Sequence, residues 1–315
     1  MVQKRKGSLS KQKVGVIGTG NMGCGIALNL YQAGFHVAVW DVNPDALTPF
    51  RNRKDIDILA PAEMAGVCSV IFFVVPASPQ IDGLLLKGKN GMLTHARKGL
   101  VLYDLTTSDP VYTKRLARRS AVKGIPYLDA GMSGGAAGAA AGTLSLMVGG
   151  DKTAFRRTRK FLTPFADKIF YLGKSGSGHT MKLIHNMVLH TIFVATCEGG
   201  RMAERAGIAL KDMIDVFNVS NARSYISQFR FPRHILTQKW DGGSRVYNLH
   251  KDVGMAVKLG KKLKADVTLG EKTLAFLEKA MDHGMQETDF TLLYREFNEI
   301  LKKKPLRGQQ KTIDS

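Results

Sequence analysis

Two groups of residues in this 315-residue chain have the types and spacing that chemistry needs. The first is Gly18-Thr19-Gly20-Asn21-Met22-Gly23, a G-x-G-x-x-G fingerprint. In such a segment Gly18 permits the tight turn, Gly20 lets the backbone approach a pyrophosphate, and Gly23 allows close packing of helix on strand. The helix start then presents unpaired N–H groups and a positive dipole end to the phosphates. Asp41 lies 18 residues beyond Gly23. A carboxylate there accepts both ribose hydroxyls and repels a 2′-phosphate, which favours NAD over NADP. Arg51 and Arg53 are nearby cations able to tolerate that phosphate, so NADP is not excluded.

The second group could move a proton and hold an anion. Lys182 and Asn186 are four residues apart, hence on one face of a helix. By spacing alone Lys182 reads as one more solvated helix lysine. A lysine that faces a cleft and loses its water has its pKa lowered, and can take a proton from a hydroxyl or return one to a carbonyl. Ser133-Gly134-Gly135 reads as a small-residue loop after a strand ending near Asp129. Its bare N–H groups and one hydroxyl suit a substrate carboxylate, although a plain flexible loop has the same composition.

These residues need elements to carry them. Short apolar runs at 14–17, 37–40, 67–75, 100–105, 127–130, 144–148 and 169–172 read as strands. Helix-like stretches such as 23–33 and 154–162 alternate with them. That order indicates a parallel sheet covered on both faces. Asp41, Val75, Pro76 and Thr107 then fall at strand C-terminal ends, where open α/β sheets bind ligands. Val75 and Pro76 are expected to wall the adenosine side. From Gly178 onward the texture is all helical, at 180–206, 211–219, 253–263, 271–283 and 291–301. The expected fold is α/β: an N-terminal Rossmann doubly wound parallel sheet over 14–174, then an all-α C-terminal domain over 175–301, joined through a long interdomain helix. Short tails, 1–13 and 302–315, flank them.

Charge sharpens this division. The net charge is +20, and residues 1–13 hold +5 and residues 302–315 hold +4. Residues 14–174 carry 19 basic and 11 acidic side chains, a further +8. Such a balance first suggests a polyanion. Nearly half of it sits on tails of the kind that are usually solvated. The Rossmann share reads as a field for a cofactor and a small anion, and nucleic acid is set aside. Three scattered cysteines, Cys24, Cys68 and Cys197, suit neither a disulfide framework nor a metal site. No run is long enough for a membrane span. A cytoplasmic protein with no bound metal is the expectation.

Four signatures, in order, resemble the β-hydroxyacid dehydrogenase family, whose type member is 3-hydroxyisobutyrate dehydrogenase. They are Gly18–Gly23 with Met22, the segment from Asp129 through Ser133-Gly134-Gly135 to Leu144, the set Gly176, Gly178, Lys182 and Asn186, and the pair Lys251-Asp252. The resemblance spans residues 14 to about 300. It implies an NAD(H)-dependent oxidoreductase acting on a small β-hydroxyacid or its semialdehyde, with the active site in the cleft between the domains and a homodimer or homotetramer as the assembly. It implies that Lys182 is the general acid/base, assisted by Asn186, that Ser133, Gly134 and Gly135 bind a carboxylate, and that Thr107 and Lys251 touch the cofactor. Two positions depart from the pattern: Gly131 stands where the family usually has Pro, and Met132 where it has a β-branched residue. Both predict a more flexible loop.

Arg223, Arg230 and Arg233 lie among Tyr225, Phe229 and Phe231. Arg230 is a candidate for a second anionic group on the substrate. His179, His185, His190 and Glu198 lack a metal-binding spacing and read as helix polar positions. Two rival readings stand beside the dehydrogenase. One is an imine-reductase-type enzyme, a group that usually lacks a lysine at the position of Lys182. The other is a non-catalytic cofactor-binding protein that contacts nucleic acid through its basic tails.

Overall fold

The computed structural model describes residues 12–86 and 88–302. The two basic tails therefore lie outside the described residues, apart from Gln12, Lys13 and Lys302. The chain forms two compact units that divide after His185. The division falls inside one 29-residue helix, Ser177–Arg205.

The first unit is built on eight strands: β1 Lys13–Ile17, β2 His36–Trp40, β3 Ile56–Ile58, β4 Val70–Phe73, β5 Val101–Asp104, β6 Tyr127–Ser133, β7 Leu144–Gly149 and β8 Ala166–Gly173. Their order is β3-β2-β1-β4-β5-β6-β7-β8. The strand order reverses between β1 and β4, the place where doubly wound sheets bind ligands. Side chains alternate between two cores. Val14, Val16, Phe72 and Tyr103 pack with Ile26 and Leu30 of helix Asn21–Gln32 on one face. Ile17, Ile71, Phe73 and Leu102 pack with Met64, Ile81 and Leu116 on the other. Burial of both faces explains why these strands read as continuous apolar runs.

Three local readings change. Only Val70–Phe73 of the run 67–75 is strand, because Pro61–Val67 is a helix. Pro61 opens that helix, and Glu63 Oε2 accepts the Ala60 N–H at 2.8 Å, which fixes its first turn. Next, β6 does not end near Asp129. It continues through Gly131 and Met132 to Ser133, pairing antiparallel with β7 at Gly131–Met147 and Ser133–Ser145. The flexible loop predicted from Gly131 and Met132 is thus a paired strand, and one strand pair in the sheet is antiparallel. Finally, the loop read at Ser133-Gly134-Gly135 gives way at Gly135 to helix Gly135–Ala141, stopped by Gly142 in the left-handed region at φ 74°, as alanine propensity and a glycine stop require.

The second unit holds helices Leu210–Val219, Val246–Lys262, Thr268–Asp282, Leu292–Arg295 and Phe297–Leu301. Its core centres on Phe193, Phe231, Phe290, Leu293 and Tyr294. Helix Ile226–Ile235 is a π-helix with Pro232 inside it. Its wide turn closes with the Leu236 N–H donating to Phe231 O at 2.9 Å.

Candidate active site

The glycine loop is shaped by its neighbours. Gly18 has φ +91°, and a Cβ there would strike the Val74 carbonyl. A Cβ on Gly23 would strike the Gly18 carbonyl, so neither position accepts a side chain. Gly20 differs: a Cβ built on it meets nothing within 4 Å. The space above Gly20 is therefore open to a ligand, and helix Asn21–Gln32 starts there with no side-chain cap on its first N–H groups. These features fit a dinucleotide pyrophosphate.

Asp41 follows β2 and holds two backbone groups. Its Oδ2 accepts the Thr19 N–H at 2.6 Å and its Oδ1 accepts the Asn43 N–H at 2.8 Å. Thr19 is buried and its hydroxyl donates to Ala46 O at 3.1 Å. The carboxylate thus stands in a fixed place beside the loop with lone pairs remaining for a sugar. Val75 and Thr107 are half-buried after β4 and β5, and Pro76 is exposed. The turn before Thr107 is set by Asp104, whose Oδ1 accepts the Thr106 N–H at 3.0 Å.

Lys182 is only 9% exposed. It packs on β6, where a Cβ at Gly131 would lie 2.5 Å from Lys182 Cβ. Ser133 lies two residues further along β6, and its Oγ is 3.5 Å from His185 Nε2. Gly134 and Gly135 have φ 129° and 63°, conformations that favour glycine. The first unit therefore gathers Gly131, Ser133, Lys182 and His185. Asn186, one helical turn after Lys182, donates its Nδ2 to Asp252 Oδ2 at 2.6 Å. Lys251 Nζ lies 3.3 Å from Asp252 Oδ1. The second unit therefore gathers Asn186, Lys251 and Asp252.

Arg230 is fixed within the second unit. Its Nη1 donates to Gly242 O at 2.8 Å, and its guanidinium lies 5.5 Å and 5.4 Å from the Tyr225 and Phe290 ring centres.

Sequence reasoning placed Asp129 and Asp252 within signatures without giving either a role, and read His179 as a helix polar position. Asp129 is fully buried; its Oδ1 accepts the Gly176 N–H at 2.7 Å and its Oδ2 the His179 N–H at 3.0 Å. His179 is fully buried, not a surface polar position, with Nδ1 2.7 Å from Thr113 Oγ1 and Nε2 3.2 Å from Asp104 O. Burial pushes the Tyr127 hydroxyl well above its ordinary range, reinforced by the Asp104 carboxylate to which it donates at 2.7 Å. Asp252 is 7% exposed and binds Asn186. Its only sequence signal was its place in the Lys-Asp pair.

Residues 13–173 match the model of the NAD binding domain of 6-phosphogluconate dehydrogenase. Residues 176–297 match the model described as NAD-binding of NADP-dependent 3-hydroxyisobutyrate dehydrogenase. The chain belongs to the β-hydroxyacid dehydrogenase family.

Relatives in this family share most of its length. A probable mitochondrial 3-hydroxyisobutyrate dehydrogenase of Dictyostelium discoideum is 29% identical over 93% of this chain and 93% of its own. An NAD-dependent L-serine dehydrogenase of Pseudomonas aeruginosa is 26% identical over 95% of this chain and 100% of its own. The solved Mycobacterium tuberculosis 3-hydroxyisobutyrate dehydrogenase with L-serine superposes with a TM-score of 0.81 at 26% identity, covering 91% and 99% of the two chains. This member of the family is an NAD(P)-dependent oxidoreductase. Among the described residues no helix is long and apolar enough to cross a membrane.

Proposed function

We propose that the chain oxidises a small β-hydroxyacid, or reduces its semialdehyde, with Lys182 as general acid/base. The observation that carries this reading is the burial of Lys182 against Gly131, two residues from Ser133 on the same strand. A lysine held there is not the solvated helix lysine that its spacing alone suggests.

When bound, NAD supplies the hydride acceptor at its nicotinamide ring. The chain's own residues do the rest. In oxidation Lys182 Nζ takes the proton of the hydroxyl group borne by the carbon that gives up its hydride, and in reduction it returns a proton to the carbonyl oxygen. Asn186, held by Asp252, assists at that oxygen. Ser133 Oγ and the N–H groups of Gly134 and Gly135 hold the carboxylate. Thr107 and Lys251 contact the cofactor. The fixed Asp41 carboxylate supports NAD over NADP, since a 2′-phosphate beside it would be repelled. Arg230, which among the described residues gives one guanidinium donor to Gly242 O, suits a second anionic group on the substrate. The substrate names of the relatives, 3-hydroxyisobutyrate and L-serine, define the first compounds to try. For assembly the reading is a homodimer or homotetramer, supported by exposed apolar side chains such as Met202, Val219 and Leu269 in the helical unit.

The test is a screen of small hydroxyacids and semialdehydes with NAD(H) and NADP(H), on wild type and Lys182→Ala. The variant is expected to bind NAD normally and to lose turnover by about two to four orders of magnitude. Turnover within tenfold of wild type would remove Lys182 from the mechanism.

A further inference from the structure

The parallel strands of the first unit have two ends. Their C-terminal ends carry the glycine loop, Asp41 and Thr107. Cations collect at the other end, where the strands begin. Lys13 opens β1, Arg97 and Lys98 precede β5, and Lys123 precedes β6. Arg157 and Lys160 reach the same end from the segment after β7. Arg157 Nη2 donates to Gly99 O at 3.3 Å, and Lys160 Nζ donates to Gln12 Oε1 at 2.6 Å. Arg97 Nη1 donates to Val67 O at 3.3 Å, just before β4.

Arg97, Lys98, Lys123, Arg157 and Lys160 are all exposed. Among the described residues, none of the five forms an ion pair with a carboxylate. Asp55 and Asp57 sit at the β3 edge of this end, and Asp57 is already held by Lys13 at 2.6 Å and His36 at 2.9 Å. Those contacts hold the Asp57 carboxyl below its usual range, the Lys13 hydrogen bond foremost. Neighbouring strands stand about 4.8 Å apart, so β1, β4, β5 and β6 set the cations in a row of roughly 15 Å.

Clustered like charges repel one another and oppose folding unless an anion answers them. The sequence reading assigned the charge of this unit to a cofactor and a small substrate. The fold puts these cations a full strand length from the glycine loop, where they cannot serve either. Among the described residues, the large apolar side chains exposed at this end are Val67 and Val122, with no aromatic, unlike a face that enters a lipid interface. Arginine forks and lysine ammonium groups in a row are suited to phosphate oxygens.

We propose that the amino-terminal end of this sheet binds the sugar–phosphate backbone of a duplex nucleic acid, independently of base sequence, through Arg97, Lys98, Arg157 and Lys160. Each phosphate neutralised releases condensed counterions, so binding must weaken steeply with salt. The test uses the full chain and a fluorescent 20-bp DNA duplex, followed by anisotropy between about 50 and 200 mM salt. Wild type is expected to bind, with log K falling linearly against log salt. The fourfold variant R97Q/K98Q/R157Q/K160Q is expected to show a slope shallower by about 3 to 4, with an unchanged thermal unfolding curve as the check on its fold. A chain lacking residues 1–11 is expected to keep a salt dependence that the fourfold change removes. The proposal is overturned if wild type fails to bind at the lowest salt, or if the folded fourfold variant keeps the wild-type slope. It is equally overturned if the chain binds phosphatidylserine vesicles and not the duplex.

Discussion

Asp129 accepts the backbone N–H of His179 at 3.0 Å while its other oxygen accepts that of Gly176 at 2.7 Å. One carboxylate on β6 thereby holds the first turn of the helix that carries Lys182. The negative charge also complements the positive end of that helix. The surrounding backbone leaves no slack: a Cβ on Gly149 would lie 2.9 Å from Asp129 Oδ2, and one on Gly178 would strike the Met147 carbonyl.

Asp129→Asn should therefore loosen the helix start. The amide keeps one acceptor and points its N–H₂ at a backbone donor. A hydrogen bond to a buried charged group contributes about 1.5 to 3 kcal/mol, so a loss of about 2 to 3 kcal/mol is expected in urea unfolding. Turnover should fall at least tenfold with little change in the NAD dissociation constant, because the glycine loop has its own supports. Equal losses of turnover and NAD affinity would show that Asp129 supports the whole unit and not the placement of Lys182.

Gly131 tests the same contact from the strand side. Its missing side chain is what makes room for Lys182, whose Cβ would lie 2.5 Å from a Cβ built on Gly131. Gly131→Ala should cost about 1 to 3 kcal/mol through overpacking, and should lower turnover more than NAD binding. Gly131→Pro, which restores the residue usual in the family, should be no better tolerated. A fully active Gly131→Pro enzyme would mean that the helix moves aside freely.

Asp252 is expected to act through Asn186. Asp252→Ala leaves the Asn186 amide without its 2.6 Å acceptor and Lys251 without its neighbouring carboxylate. Turnover should drop about ten- to a hundredfold, with Asp252→Asn intermediate because one acceptor is retained. Steady-state kinetics and calorimetry together check this. An alanine variant that is unstable but fully active per folded molecule would rule the role out.

Thiol chemistry gives a prediction from the pKa directions. Burial pushes the Cys68 thiol up to about 12, and pushes Cys197 well above its usual range. Cys24, next to Gly23, is raised by partial burial and lowered in part by Arg53. The thiolate is the reactive form, so at pH 8 a Cys68 with that pKa is about one part in ten thousand thiolate. Mass spectrometry of iodoacetamide-treated folded protein should show one slow addition, at Cys24, slowed further by NAD. Rapid addition at Cys68 or Cys197 before unfolding would contradict the fold.

The glycine loop and Asp41 were legible in the sequence because their signal is local: a strand, a turn and a helix start within one short stretch. Seven of the eight strands were legible as apolar runs, whereas β3 Ile56–Ile58 and the order of the strands were not. The anchors were not legible. Asp129 reaches Gly176 across 47 residues, and Asn186 reaches Asp252 across 66, so no local pattern announces either. The end of β6 was misjudged because Gly131 and Met132 are poor strand formers alone, and β7 supplies the pairing that holds them. Helix Ile226–Ile235 went unread because Pro232 normally ends a helix; here a wide turn absorbs it.

The unbroken helix Ser177–Arg205 bears on how such enzymes recombine. The intuitive place to splice this α/β unit to a relative's helical unit is the glycine-rich link at 173–176. A chimera cut there would separate Asp129 from the helix start it caps and Gly131 from the lysine that fits it. A crossover between Leu183 and His185 would instead leave Lys182 with its strand partners and Asn186 with Asp252. The modular seam of this protein lies in the middle of a helix, and a library of hybrids should yield active members where the joint is buried in regular structure, not where it looks like a linker.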